Sequence, residues 1–338
     1  MLYKLFLICT FIYIYTQSIC SGERLNRFKR IIGGQSVPRG TYPWAASIQA
    51  KRHTSWSTLV TGSEQHYCGA ALIKPDWIIT AAHCLYDSGE EDEIISAMFI
   101  SLHFSYLHPK MWHVRMATEK LSPGILERLK GAFNRVFNSI FGHVKLQTFY
   151  HVEEIFHHPK YEPGNLEYDI ALFKLKETPV LWKINHLDLI ELPDKKNGEE
   201  WPKPNQKCVA VGWGCSFVDG PPTLKIQAVE LPVLQSKTCM SMYSAYINLT
   251  EEHEFCAGYH NFGKGVCPGD SGGPLVCEDD GEYKLAGIVS ATHSKLPADY
   301  PAIFTRVSYF TKWINDVIKE NGYKKKPNGL FSFLKLHN

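Results

Sequence analysis

Residues 263–274 read Gly-Lys-Gly-Val-Cys-Pro-Gly-Asp-Ser-Gly-Gly-Pro, a serine set among glycines and closed by a proline. Glycine tolerates positive φ and lets other groups approach the backbone closely, so Ser271 can present its hydroxyl beside bare N–H groups. That arrangement suits acyl transfer and suits a simple surface turn equally well. Local composition leaves both readings open, and residues far along the chain decide between them.

The beginning of the chain sets the compartment. Lys4 precedes an apolar run from Leu5 to Tyr15, followed by Ser18-Ile19-Cys20, so residues 1–20 read as a secretory signal peptide. The run is shorter than the ~18 apolar residues a spanning helix needs, and no other segment reaches that length. A secreted, extracellular product is expected. Cys9 and Cys20 would leave with the signal, and the other eight cysteines would face an oxidising compartment where disulfides are the default. Paired CxxC spacing is absent from those eight, which argues against structural zinc. His103, His108 and His113 recur every five residues, a spacing that no regular element gathers on one face, so no metal or cofactor is expected. The formal charge of +2 comes from the first 30 residues, which hold five Lys/Arg and one Asp/Glu. Nothing in this balance points to nucleic acid.

Short apolar or alternating runs bounded by turn residues dominate the chain: 44–48, 70–73, 77–80, 170–175, 208–211, 228–234, 284–289 and 302–307. Such runs predict an antiparallel all-β sandwich or barrel pair. Phe310, Trp313, Ile314 and Val317 predict a helix over 308–320. Between Ser122-Pro123 and Gly142, a second helical pattern places Ile125, Leu129, Phe133, Val136 and Ile140 on one face and Arg128, Lys130 and Arg135 on the other.

Three separated motifs carry the chemistry. Thr80-Ala81-Ala82-His83-Cys84 follows an apolar strand, Tyr168-Asp169-Ile170-Ala171-Leu172 leads an aspartate into another, and the third is the stretch around Ser271. Each alone reads equally as a core histidine, a strand-edge cap or a turn. Together they supply a hydroxyl nucleophile, an imidazole base and a carboxylate that fixes the base's tautomer, in the order His, Asp, Ser. With Ile31-Ile32-Gly33-Gly34 and Gly212-Trp213-Gly214 also in order, residues 31–320 resemble the trypsin/chymotrypsin family of serine proteases.

The resemblance implies two packed antiparallel six-stranded β-barrels with a C-terminal helix, and a helical insertion at about 103–147 in the first barrel. The catalytic groups would be His83, Asp169 and Ser271, with the N–H groups of Gly269 and Ser271 as oxyanion donors. Ser290 would hydrogen-bond near Asp169. Residues 21–30 would be an activation peptide: cutting after Arg30, in Arg27-Phe28-Lys29-Arg30, would free the Ile31 ammonium to pair with Asp270. The family pattern pairs Cys68 with Cys84, Cys208 with Cys277 and Cys239 with Cys256. Cys215 and Cys267 are left over, either bridged to one another or free, because residues 291–301 lack the cysteine that relatives place there.

Substrate preference follows from the pocket positions Gly265, Val266, Ser290, Thr292 and Ala302. Gly265 puts no carboxylate on the pocket floor, which argues against cleavage after Arg or Lys. The side chains of Thr292 and Ala302 narrow the walls, so cleavage after small aliphatic residues, as in elastases, is expected. The bland expectation for the amphipathic helix is packing onto the first barrel. The sharper one is that its basic face, with Lys324, Lys325 and Lys326 of the 321–338 tail, binds an anionic glycan or lipid surface. Asn248-Leu249-Thr250 offers a glycosylation site. A monomer acting on protein or peptide substrates is expected. The alternative is a binding protein on the same fold with weak or no catalysis.

Overall fold

The structure is a computed structural model and describes residues 31–50, 65–86, 107–118, 120–121, 148–179, 187–194, 200–218, 220–244, 247 and 249–322. Arg30, the amphipathic helix over 122–142, Asn248 and the Lys324–Lys326 tail lie outside the described residues.

β2 (Ala45–Ala50), β3 (Gln65–Lys74), β4 (Trp77–Thr80), β5 (Trp112–Arg115), β6 (Phe149–His157) and β7 (Ala171–Leu175) form a closed antiparallel barrel in the order β2-β3-β4-β7-β6-β5. β1 (Gln35–Ser36), β8 (Lys207–Gly212), β9 (Gln227–Pro232), β10 (Glu254–Ala257), β11 (Pro274–Asp279), β12 (Glu282–Ala291) and β13 (Ala302–Arg306) form a second sheet, ordered β1-β9-β8-β11-β12-β13-β10. A bridge between Val233 and Ala257 brings the end of β9 to β10, curling six strands toward a barrel with β1 added outside. This is the chymotrypsin-like architecture, with an extra edge strand on the second sheet.

Burial explains the strands. In β2 all six residues are buried, so it shows no apolar/polar alternation. Ala46, Ile48 and Ala50 join the first-barrel core, whereas Ala45 packs with Trp213 and Ile226 between the sheets. Its polar side chains are tied in: Ser47 Oγ meets His66 Nδ1 at 2.8 Å and Gln49 Nε2 donates to the Leu121 carbonyl at 3.0 Å, while Gln49 Oε1 is buried without a partner among the described residues. In β6, by contrast, Tyr150 and Val152 are buried and His151 and Glu153 exposed.

Two differences from the sequence reading stand out. Trp112–Arg115 falls inside the stretch expected to be insertion, yet it is a barrel strand paired with β2 and β6. Four buried residues are too few to reveal a strand by alternation. A short helix, α1 (Ser236–Tyr243), also went unseen; only Cys239 and Tyr243 of its residues are buried. The last helix, α2 (Val307–Asn321), matches expectation, with Val307 in the helix rather than the strand. Its Phe310 and Ile314 join the first-barrel core. Lys174 Nζ donates to the Asn321 carbonyl at 2.7 Å, a cation on the negative end of the helix.

Candidate active site

Asp169 enters the site from the turn before β7 and is fully buried. Its oxygens collect three donors: the His83 backbone N–H on Oδ1 at 2.8 Å, and on Oδ2 the His83 ring Nδ1 at 2.8 Å and Ser290 Oγ at 2.6 Å. The Thr305 hydroxyl holds the Asp169 carbonyl at 2.9 Å, so β13 of the second sheet fixes a residue of the first. With Oδ2 accepting from Nδ1, the neutral imidazole carries its proton there and leaves Nε2 unprotonated, chemically able to accept a proton. Burial pulls the His83 pKa down, but the charge and hydrogen bond of Asp169 outweigh it, so the pKa is raised. The His83 side chain remains one-third exposed, at 33%, to a cleft of about 360 Å³ that it shares with Ser271, Ser290, Tyr86, Tyr161 and Leu166. Among the described residues no hydrogen bond joins Ser271 to His83, and such contacts often tighten only around substrate.

The turn carrying Ser271 is stitched to both sheets. Its carbonyl accepts from Gly69 N–H of β3 at 2.7 Å, and Gly272 N–H donates to Val289 of β12 at 2.8 Å. Gly269 has φ of +93°, a left-handed conformation that a side chain would strain. The Asp270 carboxylate turns away from the cleft and is buried, accepting from Gly214 N–H at 2.7 Å and Cys267 N–H at 3.0 Å. A Cβ at Gly212 or Gly214 would collide with that carboxylate, which accounts for both glycines of Gly212-Trp213-Gly214. Burial pushes the Asp270 carboxyl up to about 7 against these two hydrogen bonds. Ile31 is fully buried beside Ala210 and Val266 in the second core.

The eight cysteines form four bridges: Cys68–Cys84, Cys208–Cys277, Cys239–Cys256 and Cys215–Cys267. The Cys215–Cys267 question left open by the sequence closes as a bridge. Among the described residues, Cys68, His83 and Cys84 are the grouping with metal-ligand atoms close enough to share an ion, and their sulfurs are spent on a disulfide.

The chain's match to the sequence model of the family described as Trypsin covers residues 31–104 and 135–314. The chain belongs to the trypsin family. The unmatched residues 105–134 of this trypsin-family chain overlap the expected insertion. Over 296 residues, 86% of the chain, it is 27% identical to "Transmembrane protease serine 5" of Homo sapiens, and the match covers 52% of that protein. The chain thus spans about half the length of this relative. Among the described residues no helix is long and apolar enough to cross a membrane.

The pocket positions are partly brought together. Val266 and Ala302 pack in the second core and Ser290 is committed to Asp169. A Cβ at Gly265 would collide with the Pro297 carbonyl, so a larger residue is excluded there. The loop that lacks the family cysteine is organised by His293, whose Nδ1 accepts from the N–H groups of Lys295 and Leu296 at 3.2 and 3.1 Å and whose ring stacks on Tyr300 at 4.4 Å. Sequence reasoning missed His66 and Thr305. His66 links Ser47 to the Gly269 carbonyl at 2.7 Å, and burial pulls its pKa down to about 4. The donor to that carbonyl must be Nε2–H, so Nδ1 accepts from Ser47. Its place in the strand of Cys68 was the available signal.

Proposed function

We propose that this chain is a secreted serine endopeptidase, activated by cleavage after Arg30, that hydrolyses peptide bonds through an acyl-enzyme on Ser271. The observation that carries the reading is the buried Asp169 carboxylate holding His83 Nδ1 at 2.8 Å, at the wall of a cleft that also contains Ser271. In the reaction His83 Nε2 takes the Ser271 proton as Oγ attacks the substrate carbonyl, and the N–H groups of Gly269 and Ser271 receive the developing oxyanion. The imidazolium then gives its proton to the leaving amine, and water repeats the sequence to release the acid. Four disulfides support passage through an oxidising compartment.

Preference for a small aliphatic residue at the cleaved position is supported by Gly265, which supplies no carboxylate to pair a substrate Arg or Lys and where even a Cβ would meet the Pro297 carbonyl. Docking to an anionic glycan or lipid surface through Arg128, Lys130, Arg135 and the Lys324–Lys326 tail is the accompanying partner proposal. The test is a peptide panel varied at the cleaved position, offered to the Arg30-cleaved protein. Fastest hydrolysis after Ala or Val is expected, and fastest hydrolysis after Arg or Lys would overturn the specificity. No hydrolysis of any member would favour the non-catalytic binding reading.

A further inference from the structure

The Cys215–Cys267 bridge joins two segments 52 residues apart, and both half-cystines are buried. Those segments meet at one carboxylate. Gly214, the residue before Cys215, donates its N–H to Asp270 Oδ1 at 2.7 Å, and Cys267 donates its own N–H to Oδ2 at 3.0 Å. Cys215 N–H also donates to the Pro268 carbonyl at 3.0 Å, so residues 214–215 run alongside the turn that leads to Ser271. The packing is tight: a Cβ on Gly269 would lie 3.2 Å from Gly214 Cα. Cys215 is in turn anchored at the base of its own loop, bridged to Pro222, with Thr223 N–H on the Trp213 carbonyl at 2.7 Å. Gly214 is therefore held beside Asp270 by the disulfide and by the contacts of Trp213 and Cys215 with Thr223 and Pro222.

The 270–271 peptide, which follows Asp270, carries the Ser271 N–H, and the 268–269 peptide, held through its carbonyl by Cys215 N–H, carries the Gly269 N–H. We propose that the Cys215–Cys267 bridge is the positioning element of the oxyanion turn: it fixes both backbone donors of Asp270 and the Cys215 contact to the Pro268 carbonyl, and so aims the Ser271 and Gly269 N–H groups. This rests on the reading of those two groups as oxyanion donors. The cross-link that the resemblance would direct from Cys267 to the loop after Ser290 runs here to Cys215 instead, and His293 organises that loop. The raised pKa of Asp270 agrees, because a buried carboxylate with few donors depends on each of them. In the cut chain the Ile31 ammonium would share this task, so the bridge matters most before cleavage.

The test compares Cys215→Ala/Cys267→Ala with the wild type and with Cys208→Ala/Cys277→Ala, which opens a buried bridge of comparable span, 69 residues. The readouts are kcat, KM and affinity for a peptidyl trifluoromethyl ketone, whose hemiketal oxygen needs the oxyanion donors. The expected result is a fall of about ten- to a hundredfold in kcat and in ketone affinity, with KM within about twofold. All variants are measured as Arg30-cleaved protein, and the control should lose thermal stability and keep kcat. Unchanged kcat and ketone affinity in the folded variant, or equal losses in both bridge variants, would overturn the proposal. If the double alanine does not fold, Cys215→Ala/Cys267→Val refills the volume. Hydrogen exchange on the intact protein gives an independent reading: the Gly214 and Cys267 amides should exchange together and slowly, and fast independent exchange contradicts the role. A wild type inactive on every substrate would sink the peptidase reading alone, since the exchange result would still stand.

Discussion

Ser290→Ala isolates one donor of the Asp169 carboxylate. The hydroxyl lies 2.6 Å from Oδ2, the oxygen that also meets His83 Nδ1 at 2.8 Å, and Ser290 is only 6% exposed, so water does not readily replace it. A hydrogen bond to a charged group contributes about 1.5–3 kcal/mol. Its loss leaves the carboxylate less stabilised and leaning harder on the imidazolium. Two consequences follow. The orientation of His83 loosens, and at the lower end of that range kcat/KM falls about tenfold. The His83 pKa, already raised by Asp169, rises further. A general base must be neutral to act, so activity disappears as pH falls through that pKa, above the ordinary histidine value of about 6.5. The acid limb of kcat/KM between about pH 5 and 9 should therefore move to higher pH in the variant. A limb that stays in place, or moves down, would refute the claim that Ser290 shares the Asp169 charge.

Further outcomes rest on other parts of the site. Asp169→Asn keeps the size but replaces an acceptor of the His83 ring, and kcat should fall about ten-thousandfold with the circular dichroism spectrum retained. Gly214→Ala drives a Cβ into the Asp270 carboxylate and should cost a few kcal/mol of stability, read as a lower denaturation midpoint. In the uncut chain the Asp270 carboxyl is raised to about 7, so its protonated form is favoured by folding. That contribution is present below the ordinary carboxylate range and is lost as pH rises toward 7. A freed Ile31 ammonium reverses the sign, so the melting-temperature gap between cut and uncut protein should widen from about pH 5 to pH 8. Retention on a heparin column should fall when Arg128, Lys130 and Arg135 become Ala, and unchanged retention would remove the anionic-surface proposal.

Strands buried on both faces, such as Trp77–Thr80, and the helix bearing Phe310 and Ile314 were legible because their apolar residues form continuous or periodic runs. The catalytic candidates were legible because their motifs fall in one order along the chain. Trp112–Arg115 was not, since a four-residue strand beside an inserted stretch carries too little pattern. Spacing could not decide the pairing of Cys215 with Cys267, because a bridge depends on where two loops meet. His66 was hidden for a similar reason: its partners, Ser47 and Gly269, lie 19 and 203 residues away.

The proposed function stands on Ser271 being an activated nucleophile. Its most direct measurement is labelling of the Arg30-cleaved protein with an organophosphonate, mapped by mass spectrometry. One phosphonyl group per chain is expected on Ser271, none on the Ser271→Ala variant, and much slower labelling of the Asp169→Asn variant. Correctly cleaved, folded protein that takes up no label at Ser271 would contradict it.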